Sequence, residues 1–126
     1  MNPIVKEWLN KSEGDFATAN RELSVTENPN YDAVCFHSHQ CIEKLMKALL
    51  IKYKVVPPKT HDLAELERRI VLLEKGWILS SDDLNFLTRA AVDFRYPGES
   101  ADNEEAEESM KICKQLRDRL LAHIQV

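Results

Sequence analysis

The stretch from Tyr31 to Tyr53 most constrains the fold, because it contains neither glycine nor proline and is apolar around most of its circumference. One helical stripe consists of Val34, Cys41, Leu45 and Leu49. Other sides of the same helix carry apolar Phe36, Leu50 and Ile51. A helix that is apolar nearly all round is surrounded by neighbours. We therefore expect this segment to be the central helix of the protein.

Four further segments have the periodicity of amphipathic helices, and none alternates as a strand would. Their starts are indicated by capping residues, namely Asn2 before Pro3, Asp62, Ser81 and Asp102, while Asn28 before Pro29 starts the central helix. Their ends are indicated by Pro57, Gly76 and Pro97. The sequence predicts one domain over residues 1–126, an all-α antiparallel up-and-down bundle of four to five helices.

Composition restricts the class of function. The net charge of -4 argues against extended binding along a DNA backbone, for which basic domains are the rule. The chain has no apolar run of membrane-spanning length, and its charged N-terminal segment lacks the core of a signal peptide. Cys35, Cys41 and Cys113 lie at core positions without metal-ligand spacing, which favours reduced thiols in a cytoplasmic protein. His37 and His39 point to different sides of a helix, so no metal or other cofactor is predicted.

One polar track interrupts the apolar surface of the central helix. Its first row is His37, Gln40 and Lys44, and its second row is His39, Glu43 and Lys47. These residues are either the solvated side of the helix or a groove or subunit contact, because apolar residues border them.

Two helix ends carry further polar candidates. His61 stands before the capping Asp62, where it either faces solvent or helps to hold an anion. Arg95 and Tyr96 end the fourth helix, where they either cap it or contact a phosphate.

Three motifs in this order resemble the small HEPN domain family, namely CFHSHQCIEKLMKALL, PPKTHDLAEL and DFRYPGE. Trp8, Asp15 and Ala19 in the first helix and the following Tyr31 agree with the resemblance, which extends from about Trp8 to the last helix. Members similar to this chain are helical bundles that tend to dimerise. Many are encoded beside a minimal nucleotidyltransferase, as a two-component system.

The resemblance implies a binding module that forms a homodimer, partners a minimal nucleotidyltransferase in a toxin–antitoxin-like pair, and takes a nucleotide or RNA ligand. The recurring polar motifs HxxQxxEK, THDL and RYP correspond here to His37, Gln40, Glu43, Lys44, His61, Asp62, Arg95 and Tyr96. The apolar residues Phe36, Leu50 and Ile51 are expected to lie in the dimer contact.

Two alternatives remain from the sequence. Some branches of the family are metal-independent endoribonucleases with an Arg-x4-6-His motif, and Arg117 and His123 have this spacing. An arginine would stabilise the charged phosphorane and a histidine would move a proton. However, the acidic Asp118 beside Arg117 is unhelpful near a phosphate, which favours the binding module. The second alternative is a structural dimer without a ligand site.

Overall fold

The computed structural model describes residues 2–77, 79–94 and 96–125. Its helices are α1 (Pro3–Leu23), α2 (Tyr31–Lys52), α3 (Leu63–Ile70), α4 (Ser81–Asp93) and α5 (Asn103–Ile124). The described residues form no strand, and the predicted all-α bundle is confirmed.

Capping explains where the helices begin. The Asn2 side chain accepts a hydrogen bond from the backbone N–H of Ile4, and Pro3 follows as the first helical residue. At the start of α5 the predicted capping box is present, because Asp102 and Glu105 each accept the other's backbone N–H. At α3 only Asp62 caps, by accepting the N–H of Ala64.

α2 agrees with the predicted stretch Tyr31–Tyr53 to within one residue, but the residues that start and stop it differ from those expected. Its N-cap is Asn30, because Asn28 has a left-handed φ of 50° that precludes helix there. The helix ends at Lys52, well before Pro57. Lys54 takes a left-handed φ of 63°, and the N–H of Val55 donates to the carbonyl of Leu50 at 3.0 Å. This is a Schellman motif with lysine in the position that usually holds glycine.

α3 and α4 also end earlier than the predicted stop signals, Gly76 and Pro97, indicated. After Ile70 the chain continues in turns, in which Leu73 and Glu74 both donate their N–H to the Ile70 carbonyl at 2.9 Å. Gly76, with a left-handed φ of 74°, ends these turns rather than the helix. The predicted end of α4 at Tyr96 is three residues beyond Asp93, the last helical residue.

α2 is the centre of the core and packs against each of the other four helices. The predicted stripe is fully buried. α1 runs antiparallel to α2, as the contacts of Ser12 with Cys41 and of Asp15 with His37 show. α5 runs parallel to it, since Cys35 meets Ser109 and Lys52 meets His123.

The apolar patch expected in a dimer contact is largely covered within one chain. Leu50 is completely buried, because α2 turns this side towards the core, and Ile51 and Phe36 are partly buried. The expected homodimer therefore does not follow from this patch.

The three cysteines are free thiols in the core. Burial raises the pKa of Cys35, and hydrogen bonding to Cys41 together with burial raises the pKa of Cys113. In the described part of the chain, none of the helices has the length and apolar character needed to cross a membrane.

Candidate functional site

The side chains of the polar track of α2 form a connected network, and Asp15 of α1 binds to one side of it. Asp15 of α1 uses both carboxylate oxygens. His37 Nδ1 donates to one at 2.8 Å, and Lys44 Nζ donates to the other at 2.5 Å. Lys44 Nζ also donates to Gln40 Oε1 at 3.3 Å. The first row of the track is thus held in place by a carboxylate from the neighbouring helix.

The second row begins at a buried neutral histidine. His39 Nε2 donates to the backbone carbonyl of His61 at 2.7 Å, and His39 Nδ1 accepts from Gln40 Nε2 at 3.4 Å. Burial lowers the pKa of His39, because the charged ring would lose its hydration. A neutral His39 therefore connects the two rows and fixes the backbone at the start of α3.

Glu43 is the other point where α2 holds the loop before α3. One carboxylate oxygen accepts from His61 Nδ1 at 2.7 Å, and the other accepts from Lys47 Nζ at 3.2 Å. The side chains of Glu43 and Lys47 are only 5% and 11% exposed, whereas that of His61 is 70% exposed. A buried ion pair therefore orients a histidine that solvent reaches.

The network leaves hydrogen-bonding capacity at its accessible points. A lysine ammonium has three N–H donors, and Lys44 uses two of them within the network. His61 and His37 are each held through Nδ1, which leaves Nε2 without a hydrogen bond to the described residues. These groups could form directional hydrogen bonds to a polar or anionic ligand.

The structure brings five of the eight predicted ligand residues into this network, namely His37, Gln40, Glu43, Lys44 and His61. Asp62 adjoins it, but its side chain caps α3. Tyr96 is exposed beyond the end of α4 and does not join the network. Arg95 lies outside the described residues.

Arg117 and His123, the candidate ribonuclease pair, contact different parts of the bundle. Arg117 donates to Glu13 of α1 at 2.7 Å and lies 4.2 Å from the ring centre of Phe16. His123 packs edge-on against Trp77, with ring centres 4.6 Å apart. The Arg117 side chain thus contacts α1, and the His123 side chain contacts the segment that follows α3.

The sequence prediction of ligand residues missed Asp15, His39 and Lys47, which complete the network. His39 and Lys47 belong to the predicted track, and their i, i+4 and i+8 spacing with Glu43 was the available indication. Asp15 carries part of the family resemblance, but its position opposite Lys44 depends on how α1 is aligned along α2. No cluster of three potential metal ligands is present in residues 2–77, 79–94 and 96–125.

Comparison with known proteins identifies the family to which this helical bundle belongs. The sequence profile described as the HEPN domain matches residues 5–123, which is nearly the whole chain. The chain therefore belongs to the HEPN domain family.

Two solved structures share the fold. TT1696 from Thermus thermophilus superposes with a TM-score of 0.76 at 19% identity, covering 94% of this chain and 97% of that chain. ST0689, described as an archaeal HEPN homologue, gives a TM-score of 0.70 at 22% identity, covering 95% of this chain and 97% of that chain. A search of curated protein sequences gave no significant match.

Proposed function

We propose that this chain is a HEPN binding module that forms a homodimer, partners a minimal nucleotidyltransferase in a toxin–antitoxin-like pair, and binds a nucleotide along the polar face of α2. The observation that carries the proposal is the network of α2 with Asp15 and His61. Removing Glu43 and Lys47 from water is costly, and an apolar pair of similar volume would often stabilise a bundle at least as well. The network instead holds Lys44, His37 and His61 in fixed positions with unused hydrogen-bonding groups.

The same face supports binding of a nucleotide rather than cleavage of RNA. Lys44 offers charge and a spare N–H, and the two histidines offer ring nitrogens for directional hydrogen bonds. By contrast, Arg117 is already paired with Glu13, and His123 packs against Trp77. A ribonuclease that used these two residues would have to release Arg117 from Glu13.

Calorimetric titration with ATP, together with light scattering, tests the proposal. We expect saturable binding by a dimer of about twice the 14.5 kDa chain mass. Lys44→Gln should weaken ATP binding about tenfold, which corresponds to one lost charge-assisted contact. Lys114→Gln is the matched control, because Lys114 is an exposed lysine on α5, away from the network.

The other outcomes contradict separate parts of the proposal. A dimer that binds no nucleotide would favour a structural dimer, and a monomer would contradict the homodimer. RNA cleavage that is lost in both Arg117→Ala and His123→Ala, at unchanged melting temperature, would favour the endoribonuclease. Association with the nucleotidyltransferase is tested by co-expressing the two proteins and measuring the mass of the purified complex.

A further inference from the structure

A groove of about 550 Å³ lies beside Lys44, between α2 and the first half of α1. Its lining residues are Glu7, Trp8, Lys11 and Lys44. This volume is within the range of pockets that hold small ligands. Trp8 is partly buried and packs against the core, which gives the groove a fixed aromatic side.

Two ammonium groups are available at this groove. Lys11 is exposed and has neither an ion pair nor a side-chain hydrogen bond among the described residues. Lys44 is held by Asp15 and Gln40 and keeps its third N–H donor. Because the Asp15 carboxylate already offsets the charge of Lys44, Lys11 is the stronger cation for an incoming anion.

The two remaining lining residues suit the other parts of a nucleotide. A tryptophan ring provides a stacking surface for a base, and stacking tolerates different bases. The Glu7 carboxylate only accepts hydrogen bonds, so it matches the hydroxyl donors of a ribose. One groove thus contains a group that suits each part of a nucleotide: the lysines for the phosphate, Trp8 for the base and Glu7 for the sugar.

Charge distinguishes this groove from the larger ones between α4 and α5. Two of the grooves that adjoin Phe86 are rich in carboxylates, namely Asp62, Asp82, Asp83, Glu104, Glu105, Glu107 and Glu108. Those carboxylates outnumber Arg89 and Lys111 and would repel a phosphate. The groove at Trp8 has two lysines and one carboxylate.

We infer that the Trp8 groove binds a nucleoside phosphate, with the phosphate on Lys11 and Lys44, the base on Trp8 and the ribose on Glu7. The inference rests on the proposed function, because it gives the proposed nucleotide a position that reaches beyond the polar face of α2. It assigns a binding role to three residues outside the predicted ligand set, Glu7, Trp8 and Lys11.

Fluorescence of Trp8 tests this position directly. The only other tryptophan is Trp77, which is buried, so a Trp77→Phe background leaves Trp8 as the sole indole. In this background, ATP should change the emission saturably, and adenosine or inorganic pyrophosphate alone should bind at least tenfold more weakly. Lys11→Gln should weaken ATP binding about tenfold, whereas Lys6→Gln, an exposed lysine of α1 outside the groove, should leave it unchanged.

Calorimetry separates failure of this position from failure of the proposed function. If Lys11→Gln and Trp8→Leu both bind ATP as tightly as the unmodified protein, the nucleotide lies elsewhere and the assignment to this groove is wrong. If the unmodified protein binds no nucleotide at all, the proposed nucleotide-binding function itself is wrong. Thermal melting of each variant identifies any loss caused by unfolding, and the exposed Lys11 provides a substitution that should not disturb the core.

Discussion

His61 Nδ1 donates a hydrogen bond to Glu43 Oε1 at 2.7 Å. This bond connects the middle of α2 to His61, the residue that precedes the N-cap of α3. The bond joins a carboxylate that is almost completely buried to an imidazole that is mostly exposed. His39 secures the same residue through its backbone carbonyl. The start of α3 is therefore fixed by α2 at two points, and His61 presents its free ring nitrogen in a defined direction.

Glu43→Ala should destabilise the fold by about 3–5 kcal/mol, because it leaves the Lys47 ammonium buried without its partner. The double variant Glu43→Leu, Lys47→Met should recover most of this loss, since an apolar pair of similar size removes the desolvation cost. Urea unfolding measures the free energy of unfolding of both variants. Glu107→Ala, an exposed acid on α5, is the control and should change stability little. A double variant as unstable as Glu43→Ala would show that the pair itself is required.

His39 should make the fold less stable in mild acid. Its pKa is lowered by burial, so the unfolded chain binds a proton below about pH 6.5 while the folded chain resists it. The free energy of unfolding should therefore fall as pH decreases from 6.5 to the lower pKa of the folded state, by at most about 1.4 kcal/mol per pH unit for this group.

His39→Gln is the informative variant, because its amide N–H can still donate to the His61 carbonyl. Urea unfolding at about pH 7 and about pH 5, on either side of the ordinary histidine pKa, should show a smaller pH effect for this variant than for the unmodified protein. His123→Gln serves as the comparison. An equal loss of stability in His39→Gln and the unmodified protein would mean that other groups cause the acid sensitivity.

Lys54→Gly should stabilise the protein by about 1 kcal/mol, because Lys54 occupies the left-handed position of the Schellman motif, where a side chain is unfavourable and glycine is preferred. Lys54→Ala keeps the Cβ atom and should give little gain. Thermal unfolding of the two variants distinguishes relief of backbone strain from loss of the lysine charge, because only the charge effect would appear in both.

The three thiols should react with a disulfide reagent only after unfolding. Cys35, Cys41 and Cys113 are buried, and the raised pKa values of Cys35 and Cys113 keep these two as poorly nucleophilic thiols. With Ellman's reagent, the folded protein should release little of the coloured thiolate of the reagent, as measured by absorbance. The protein unfolded in urea should release three equivalents. Rapid reaction of one cysteine in the folded protein would place it at a mobile or exposed position.

The sequence predicted elements whose determinants are local. Asn2 with Pro3, and Asp102 with Glu105, are capping groups that act within one helical turn, and both were located correctly. The end of α3 was placed too late because Leu73 continues the apolar stripe, although the chain reaches that position through turns. Apolar periodicity reports burial, and a turn can bury a side chain as well as a helix does.

Helical spacing predicted the candidate site along α2, and the THDL motif added His61. Helical spacing places His37, Gln40 and Lys44 in one row, because residues three and four apart are neighbours. Asp15 reaches that row from α1, and Trp8 lines a groove beside Lys44, so the positions of both depend on the packing of α1 against α2. Such cross-helix contacts are set by side-chain packing in three dimensions, which a periodic pattern does not encode.

The antiparallel pairing of α1 and α2 has a consequence for the order of folding. The connection 24–30 is short, so little chain entropy is lost when Ser12 meets Cys41. The contact between Lys52 and His123 closes a much longer loop and carries a larger entropic cost. The helical hairpin is therefore expected to form early, with its apolar surface exposed until α5 docks alongside α2, and this partly assembled chain is the species most prone to aggregation.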